Sequence, residues 1–463
     1  MNNIVYSVNQ RPPFGKVLLS AFQQLLAVLA ATIAVPAIIG NGMSQSAALF
    51  GAGVGTLVYL AFTRFKSPVF LGSSFAFLGS MGAAFAGAAS MGVTAQVGYI
   101  GLILGAFLAG LVYVILSLLV KFFGTAWVDK VMPPVVIGPT VAIIGLTLAP
   151  NAIGDLQLGN VVDELGNSLA NPFLCIGIGL IALIATIVFS IYGKKTIKMI
   201  PFILGILVGY AIAAIFTLIG NTTHTDALKI IDFSSFNNIK WIPDFAFITA
   251  AKGFAEFENV GQFFKYFGII ALGYIPVAFV VFAEHIADHK NLSSIIDVDL
   301  LENPGLHRSL LGDGVGSFAG AMFGGCPNTT YGESIACVAI SGNASTWVTL
   351  ATGIMAIVVS FFGPFVTFLA TIPKCVMGGI CMSLYGFIAV SGLKMLKNVD
   401  LGDNRNVFVI SAILITGVGG LVLEFAGISI TKVACALILG IIINIIVHIK
   451  DNKNPELNEE KEE

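Results

Sequence analysis

Three carboxylates and two imidazoles stand next to long apolar runs, where charge is expensive. The segment "VAFVVFAEHIADHK" ends the eighth such run and carries Glu284, His285, Asp288 and His289. Glu284 and Asp288 are spaced i, i+4, so on a helix they share one face. Two like charges one turn apart in a low dielectric cannot both stay ionised cheaply, so such a pair can hold a proton in one state and release it in another. His285 and His289 repeat the spacing, which could grip a zinc ion. The metalloprotease order is HExxH, however, and here the glutamate precedes the first histidine, so no metal site is expected. The position also suits a cytoplasmic helix end, a reading that fits His289 and Lys290 better than Glu284.

The third carboxylate, Glu333, lies in "FGGCPNTTYGESIACVAI", residues 323–340. Gly324, Gly325 and Pro327 break any helix there, Thr329, Thr330 and Tyr331 favour extended chain, and a helix can restart around Glu333. Extended backbone at membrane depth needs partners for its N–H and C=O groups. The matching stretch is "GSSFAF", Gly72 to Phe77. Two short strands paired at mid-membrane would satisfy each other, and the half-helices after them would aim free N–H groups and positive dipole ends at the centre. Backbone donors, carboxylate acceptors and the aromatic faces of Phe75 and Tyr331 complement a flat heterocycle with alternating N–H and C=O groups, such as a pyrimidine dione.

These residues must be positioned by membrane helices. Of 463 residues, 57% are hydrophobic and 10% charged, against about 25% charged in soluble domains. The composition defines an all-α polytopic membrane protein. The balance of 23 basic and 25 acidic residues leaves no basic footprint for nucleic acid. The six cysteines are scattered through apolar runs without ligand spacing and read as buried, inert thiols. No GxxxxGK[ST] occurs, so the chain carries no nucleotide-driven engine of its own. The start "MNNIVYSVNQRPPFGK" is polar, and the first apolar run is long enough to span, so it reads as a retained segment rather than a cleaved signal.

Runs suited to crossing a bilayer fall near 17–40, 46–63, 68–90, 97–120, 131–150, 172–193, 199–219, 266–287, 307–325, 330–342, 346–370, 375–392, 407–425 and 430–449. With the N-terminus inside, every basic residue except Lys229, Lys240, Lys252, Lys265, Lys374 and Lys432 falls on the inner side, which supports two cytoplasmic termini. "VMPPVVIGP" opens the fifth run and "TIPKCVMGG" the twelfth, so Pro133 aligns with Pro373, half a chain away. "LGSSFAF" and "PNTTYGE" correspond similarly. Seven segments per half is odd, so the halves are inverted repeats, and paired interrupted segments mark a transporter's binding site. Asp313 is expected inside the ninth segment, in a packing, capping or functional role. Glu424 is expected near a helix end, and Trp127, Trp241 and Trp347 as interfacial anchors.

The chain resembles the nucleobase–ascorbate (uracil/xanthine permease) transporter family, in its bacterial uracil permease branch. The resemblance rests on "LGSSFAF" (71–77), "AEHIADH" (283–289), "NPGLHRSLLGDG" (303–314), "PNTTYGES" (327–334) and "MGGICMSLYG" (377–386). It implies fourteen segments in two inverted repeats of seven, with a core domain (segments 1–4 and 8–11) facing a gate domain (5–7 and 12–14). Along the chain, 1–150 then holds the first core segments and the start of the gate. Residues 151–265 hold gate segments 6–7 and a long outer loop, 266–370 the second core set, 371–449 gate segments 12–14, and 450–463 a disordered cytoplasmic tail.

The resemblance further implies a proton-coupled symporter in the cell's inner (cytoplasmic) membrane, with a nucleobase and a proton as partners, no cofactor, no enzymatic activity and a homodimer formed through the gate. Glu284 and Glu333 would bind base N–H groups, Phe75 and Gly332 would offer backbone N–H groups to base carbonyls, and Asp288, with Glu284, would couple the proton. Uracil is the expected base. A purine is the alternative, and an anion exchanger on the same architecture a more distant one. The segment after Glu333 departs from the family pattern at Ser334, Ala336 and Ser341, where relatives have Asn, Gly and Thr. Gln24 replaces a histidine found in several relatives.

Overall fold

The computed structural model describes residues 4–449 except 125, 126, 128–131, 195, 238, 426 and 427. The expected tail at 450–463 lies outside them. All fourteen apolar runs fall on helices or on strand-plus-helix segments. In the first half these are α1 (Phe14–Ile39), α2 (Gln45–Phe62), β1 (Leu71–Ser73), α3 (Leu78–Ser90), α4 (Ala95–Phe123), α5 (Pro134–Asp155), α6 (Pro172–Tyr192) and α7 (Pro201–Thr223). A connection containing a short helix, Ala246–Gly253, leads to the second half. There follow α8 (Val260–Ile296), α9 (Leu306–Gly324), β2 (Asn328–Thr330), α10 (Gly332–Ser341), α11 (Thr346–Val359), α12 (Lys374–Lys394), α13 (Asn404–Val418), the hairpin strands β3 (Leu423–Phe425) and β4 (Ile428–Ile430), and α14 (Lys432–Val447). Among the described residues, eight helices are long and apolar enough to cross a membrane alone. Helix α11 makes a ninth candidate with its continuation Gly363–Ala370, to which it is bent by 85°.

The packing repeats with a seven-helix offset. Helix α2 lies along α9, and α5 along α12; each pair joins equivalent members of the two halves. Other contacts come in matched sets: α4 on α9 with α11 on α2, α8 on α4 with α1 on α11, and α6 on α7 with α13 on α14. The contacts thus interleave the two halves into two bodies, α1–α4 with α8–α11, here the core, and α5–α7 with α12–α14, here the gate. Small residues let backbones meet. A Cβ at Gly51 or Gly55 would press on the backbone carbonyls of Gly320 or Gly316, and one at Gly110 on that of Gly314.

Three boundaries differ from the sequence reading. Helix α8 does not end at the charged residues but continues to Ile296, where Asp297 takes a left-handed conformation (φ 56°). Glu284 and Asp288 thus lie inside a helix, and His289 is buried. The extended part of the third segment is Leu71–Ser73, not Gly72–Phe77, because the chain already turns at Ser74–Phe77 to start α3. The thirteenth run stops being helical at Val418, after which Gly419 and Gly420 lead into the hairpin, so Glu424 sits on a strand and not near a helix end. Trp347 is partly exposed beneath the Arg11 guanidinium, 4.6 Å from its ring centroid, Trp241 is exposed, and Trp127 stacks on Phe282. All six cysteines are buried and free.

Two further ties join segments outside the helices. The N-terminal segment runs beside the α10–α11 turn: the Val5 N–H donates to the Gly342 carbonyl (2.7 Å), the Ala344 N–H to Tyr6 (2.9 Å) and the Thr346 N–H to Val8 (3.1 Å). In the connection before α8, Glu256 accepts from the Thr94 N–H (2.7 Å) and hydroxyl (2.5 Å). These bonds favour the charged form and hold the Glu256 carboxyl below its usual range.

Candidate functional site

The site is built where the two interrupted segments meet. Strands β1 and β2 pair antiparallel, Leu71 opposite Thr330, Gly72 opposite Thr329 and Ser73 opposite Asn328. The pairing extends at both ends, with the Ser74 N–H donating to Pro327 (2.9 Å) and the Tyr331 N–H to Phe70 (3.2 Å). Asn328 anchors β2 in the glycine notch between α2 and α9, its Nδ2 donating to the Gly51 carbonyl (3.0 Å). Its N–H donates to Ser317 Oγ (3.0 Å). The Tyr331 hydroxyl donates to the Ser73 carbonyl (2.7 Å), and its ring lies against Gly72, where any Cβ would overlap it. Tyr331 therefore locks the two strands together.

Beyond the strands, α3 and α10 begin without a side-chain cap. The first turn of any helix has N–H groups without intrahelical partners, and here Gly332 and Glu333 at the start of α10, with Phe75 and Ala76 in the turn leading to α3, line a cavity of about 270 Å³. Phe75, Glu284, Asp288, Tyr331, Gly332 and Glu333 all line it, so the structure brings every site residue read from the sequence to one place. The opposite wall comes from the gate and is mostly apolar, with Val141 and Ile144 of α5, Phe202 of α7 and Leu384 and Phe387 of α12 beside Ser190, Lys198 and Ser391. Phe75 meets Tyr385 of α12 edge to face, centroids 5.7 Å apart. The cavity thus lies between the two bodies.

Helix α8 presents two polar faces. Toward the cavity it turns Glu284 and Asp288, and Asp288 Oδ2 accepts the Thr330 hydroxyl at 2.6 Å. Among the described residues, three carboxylates share this space with one ammonium, Lys198. Away from it, His285 and His289 are fully buried, with rings stacked at 4.0 Å. His285 Nδ1 lies 2.7 Å from Asp313 Oδ2, and Nε2 lies 2.9 Å from Ser309 Oγ. His289 Nδ1 faces the His285 carbonyl at 2.8 Å, which makes that nitrogen the N–H donor. His289 Nε2 lies 2.7 Å from the Tyr59 hydroxyl, which itself donates to Ser67 Oγ at 2.7 Å. Both imidazoles and Asp313 are committed to joining α8 to α2 and α9, outside the cavity.

The sequence reading missed Thr330 as a partner of Asp288, although it lies in the motif that carries Glu333. It also missed the gate wall, whose apolar residues look like any lipid-facing or core side chain in the sequence.

An inverted-repeat helical fold with broken segments meeting at a cavity between two bodies defines a membrane transporter. A family model described as "Permease family" matches residues 15–424, and the chain belongs to that family. It is 36% identical over 467 residues to the uracil permease of Bacillus caldolyticus, covering 100% of this chain and 99% of the relative. With the uracil permease of Bacillus subtilis (strain 168) it shares 35% identity, covering 94% and 93%. Among solved structures it is similar to the transmembrane domain of the cyanobacterial bicarbonate transporter BicA, with TM-score 0.60, 14% identity and coverage of 95% and 100%. It is also similar to the murine Solute Carrier 26 family member A9 anion transporter, with TM-score 0.64, 12% identity and coverage of 96% and 69%. The chain is a multi-pass membrane permease and not an enzyme.

Proposed function

We propose that the protein imports a nucleobase, uracil in the first instance, together with a proton across the cytoplasmic membrane, with both termini on the cytoplasmic side. The observation that carries this reading is the shared cavity. Glu284, Asp288 and Glu333 meet there with the uncapped start of α10 and the turn leading to α3, between a core and a gate. Glu284 and Glu333 accept base N–H groups, and backbone N–H groups near Phe75 and Gly332 donate to base carbonyls. The names of the full-length relatives agree with that chemistry. Asp288 carries the coupled proton, helped by Glu284, so that a neutralised core passes the mostly apolar gate wall, because an uncompensated charge moving there is costly. Alternation of the core against the gate then exposes the cavity to each side in turn.

The fold neighbours carry anions, but among the described residues three carboxylates against one lysine disfavour an anion in this cavity. Glu333→Ala should abolish uptake of labelled uracil while leaving folded protein in the membrane; normal uptake by that variant removes the site. Competition by xanthine, adenine and guanine ranks the bases, and insensitivity to a protonophore removes the proton.

A further inference from the structure

Gln24 of α1 and Ser334 of α10 touch. They are 310 residues apart in the chain, yet Gln24 Nε2 donates to Ser334 Oγ at 2.8 Å. The other end of the amide is used as well: Gln24 Oε1 accepts the Thr352 hydroxyl at 2.8 Å. Ser334 Oγ also accepts the Phe70 N–H at 3.1 Å, where the chain enters β1. Gln24, Ser334 and Thr352 are 3%, 0% and 0% exposed, and none of them lines the cavity. A hydrogen-bonded relay therefore runs behind the site from α11 through α1 to α10 and on to β1.

The relay ends one residue from Glu333. Helix α10 is a half-helix of ten residues. One face, with Glu333, Ala336 and Cys337, borders the empty space of the cavity, so the helix must be held from its other face. Ile335 and Val338 pack there, but apolar contacts leave a helix free to rotate or slide by small amounts, whereas a hydrogen bond fixes direction. A primary amide suits the task because its two ends differ, one donating and one accepting.

We infer that Gln24 and Ser334 act as one positioning unit that sets the rotation and depth of α10, and through it the place of the Glu333 carboxylate and the bases the cavity accepts. This rests on the reading of Glu333 as a substrate ligand. Neither residue touches the substrate. Each acts through Glu333, so loss of either loosens the same contact, and loss of both adds little.

The test compares Gln24→Leu, Ser334→Ala, the double variant and Ser334→Thr in the full-length protein. Uracil uptake (KM and kcat) is measured beside hydrogen–deuterium exchange of the peptide covering α10 without substrate. Losing a buried hydrogen bond should raise KM by roughly 5- to 150-fold, with kcat kept within about twofold, since a ligand bound less well in every state loses uniform binding. The double variant should be no worse than the poorer single one, Ser334→Thr, which keeps the hydroxyl, should stay close to wild type, and α10 exchange should rise in both single variants. Should Gln24→Leu fail to fold, Ser334→Ala and Ser334→Thr decide on the same readouts. Additive losses, or exchange at wild-type rates, overturn the inference. If the wild type transports no nucleobase, the functional reading falls and the exchange measurement alone decides, faster exchange supporting the positioning unit and unchanged exchange refuting it.

Discussion

The notch that receives Asn328 gives a quantitative expectation. At Gly320 of α9, an added methyl group would overlap the Asn328 amide and press on the Gly51 carbonyl. Overfilling a close-packed contact costs about 1–3 kcal/mol. Displacing the amide also gives up its bond to Gly51, a further net loss of about 0.5–1.5 kcal/mol. Alanine's better fit to a helix returns only about 0.5–1 kcal/mol. Gly320→Ala should therefore destabilise the protein by about 2 kcal/mol. Gly268, in α8, has nothing within 4 Å of an added Cβ, so Gly268→Ala should show only the helix gain of about 0.5–1 kcal/mol. The same chemical change should move the thermal unfolding midpoint in detergent down at one position and up at the other. Because Asn328 begins β2 and Thr329 and Thr330 line the cavity, Gly320→Ala should also raise the KM for uracil, and Gly268→Ala should not. Midpoints that move in the same direction would show that the notch does not set the position of β2.

Two further outcomes are open to measurement. Glu256 is held in its charged form by Thr94, so its contribution to stability is present above the pH at which the unfolded side chain titrates and fades as pH falls through the lower, folded value. Glu256→Gln should thus lower the unfolding midpoint near pH 7 and converge with wild type in acid, and a deficit that grows on acidification contradicts this sign. Ala336 lines the cavity beside Glu333; Ala336→Leu should raise the KM for uracil by about tenfold or more, since single methylenes in a fitted pocket already discriminate by about tenfold or more. Unchanged KM would place the bound base away from this wall.

Much of the site was legible because charge and broken backbone are rare in an apolar chain and each needs a reason. Glu284, Asp288 and Glu333 could be singled out by position alone. The pairing of the third and tenth segments followed from the rule that extended backbone in a membrane must find a partner. What stayed hidden was whatever depends on contact between distant segments. Nothing in "EHIADH" says that the histidines face Asp313 and Tyr59 while the carboxylates face open space. Nothing near Gln24 points to Ser334. The end of α8 was misjudged because His289 and Lys290 suit a helix end in water, yet His289 and Leu292 are buried against the core and the helix runs on to Ile296.

The interleaving of the halves constrains how the protein can be made. Residue 72 pairs with residue 329, and Val5 and Tyr6 find Gly342 and Ala344, so the earliest parts of the chain wait for parts translated far later. Neither body closes within one half: α2 needs α9, and α5 needs α12. Chains emerge from the N-terminus first, so the first seven helices enter the bilayer with β1 unpaired and both bodies open. Local packing such as α6 on α7 can form early, but the β1–β2 pairing at the centre of the core waits for the tenth segment. A chain cut after α7 keeps its hydrophobic helices but has no complete core to fold into, which makes it a natural substrate for membrane quality control.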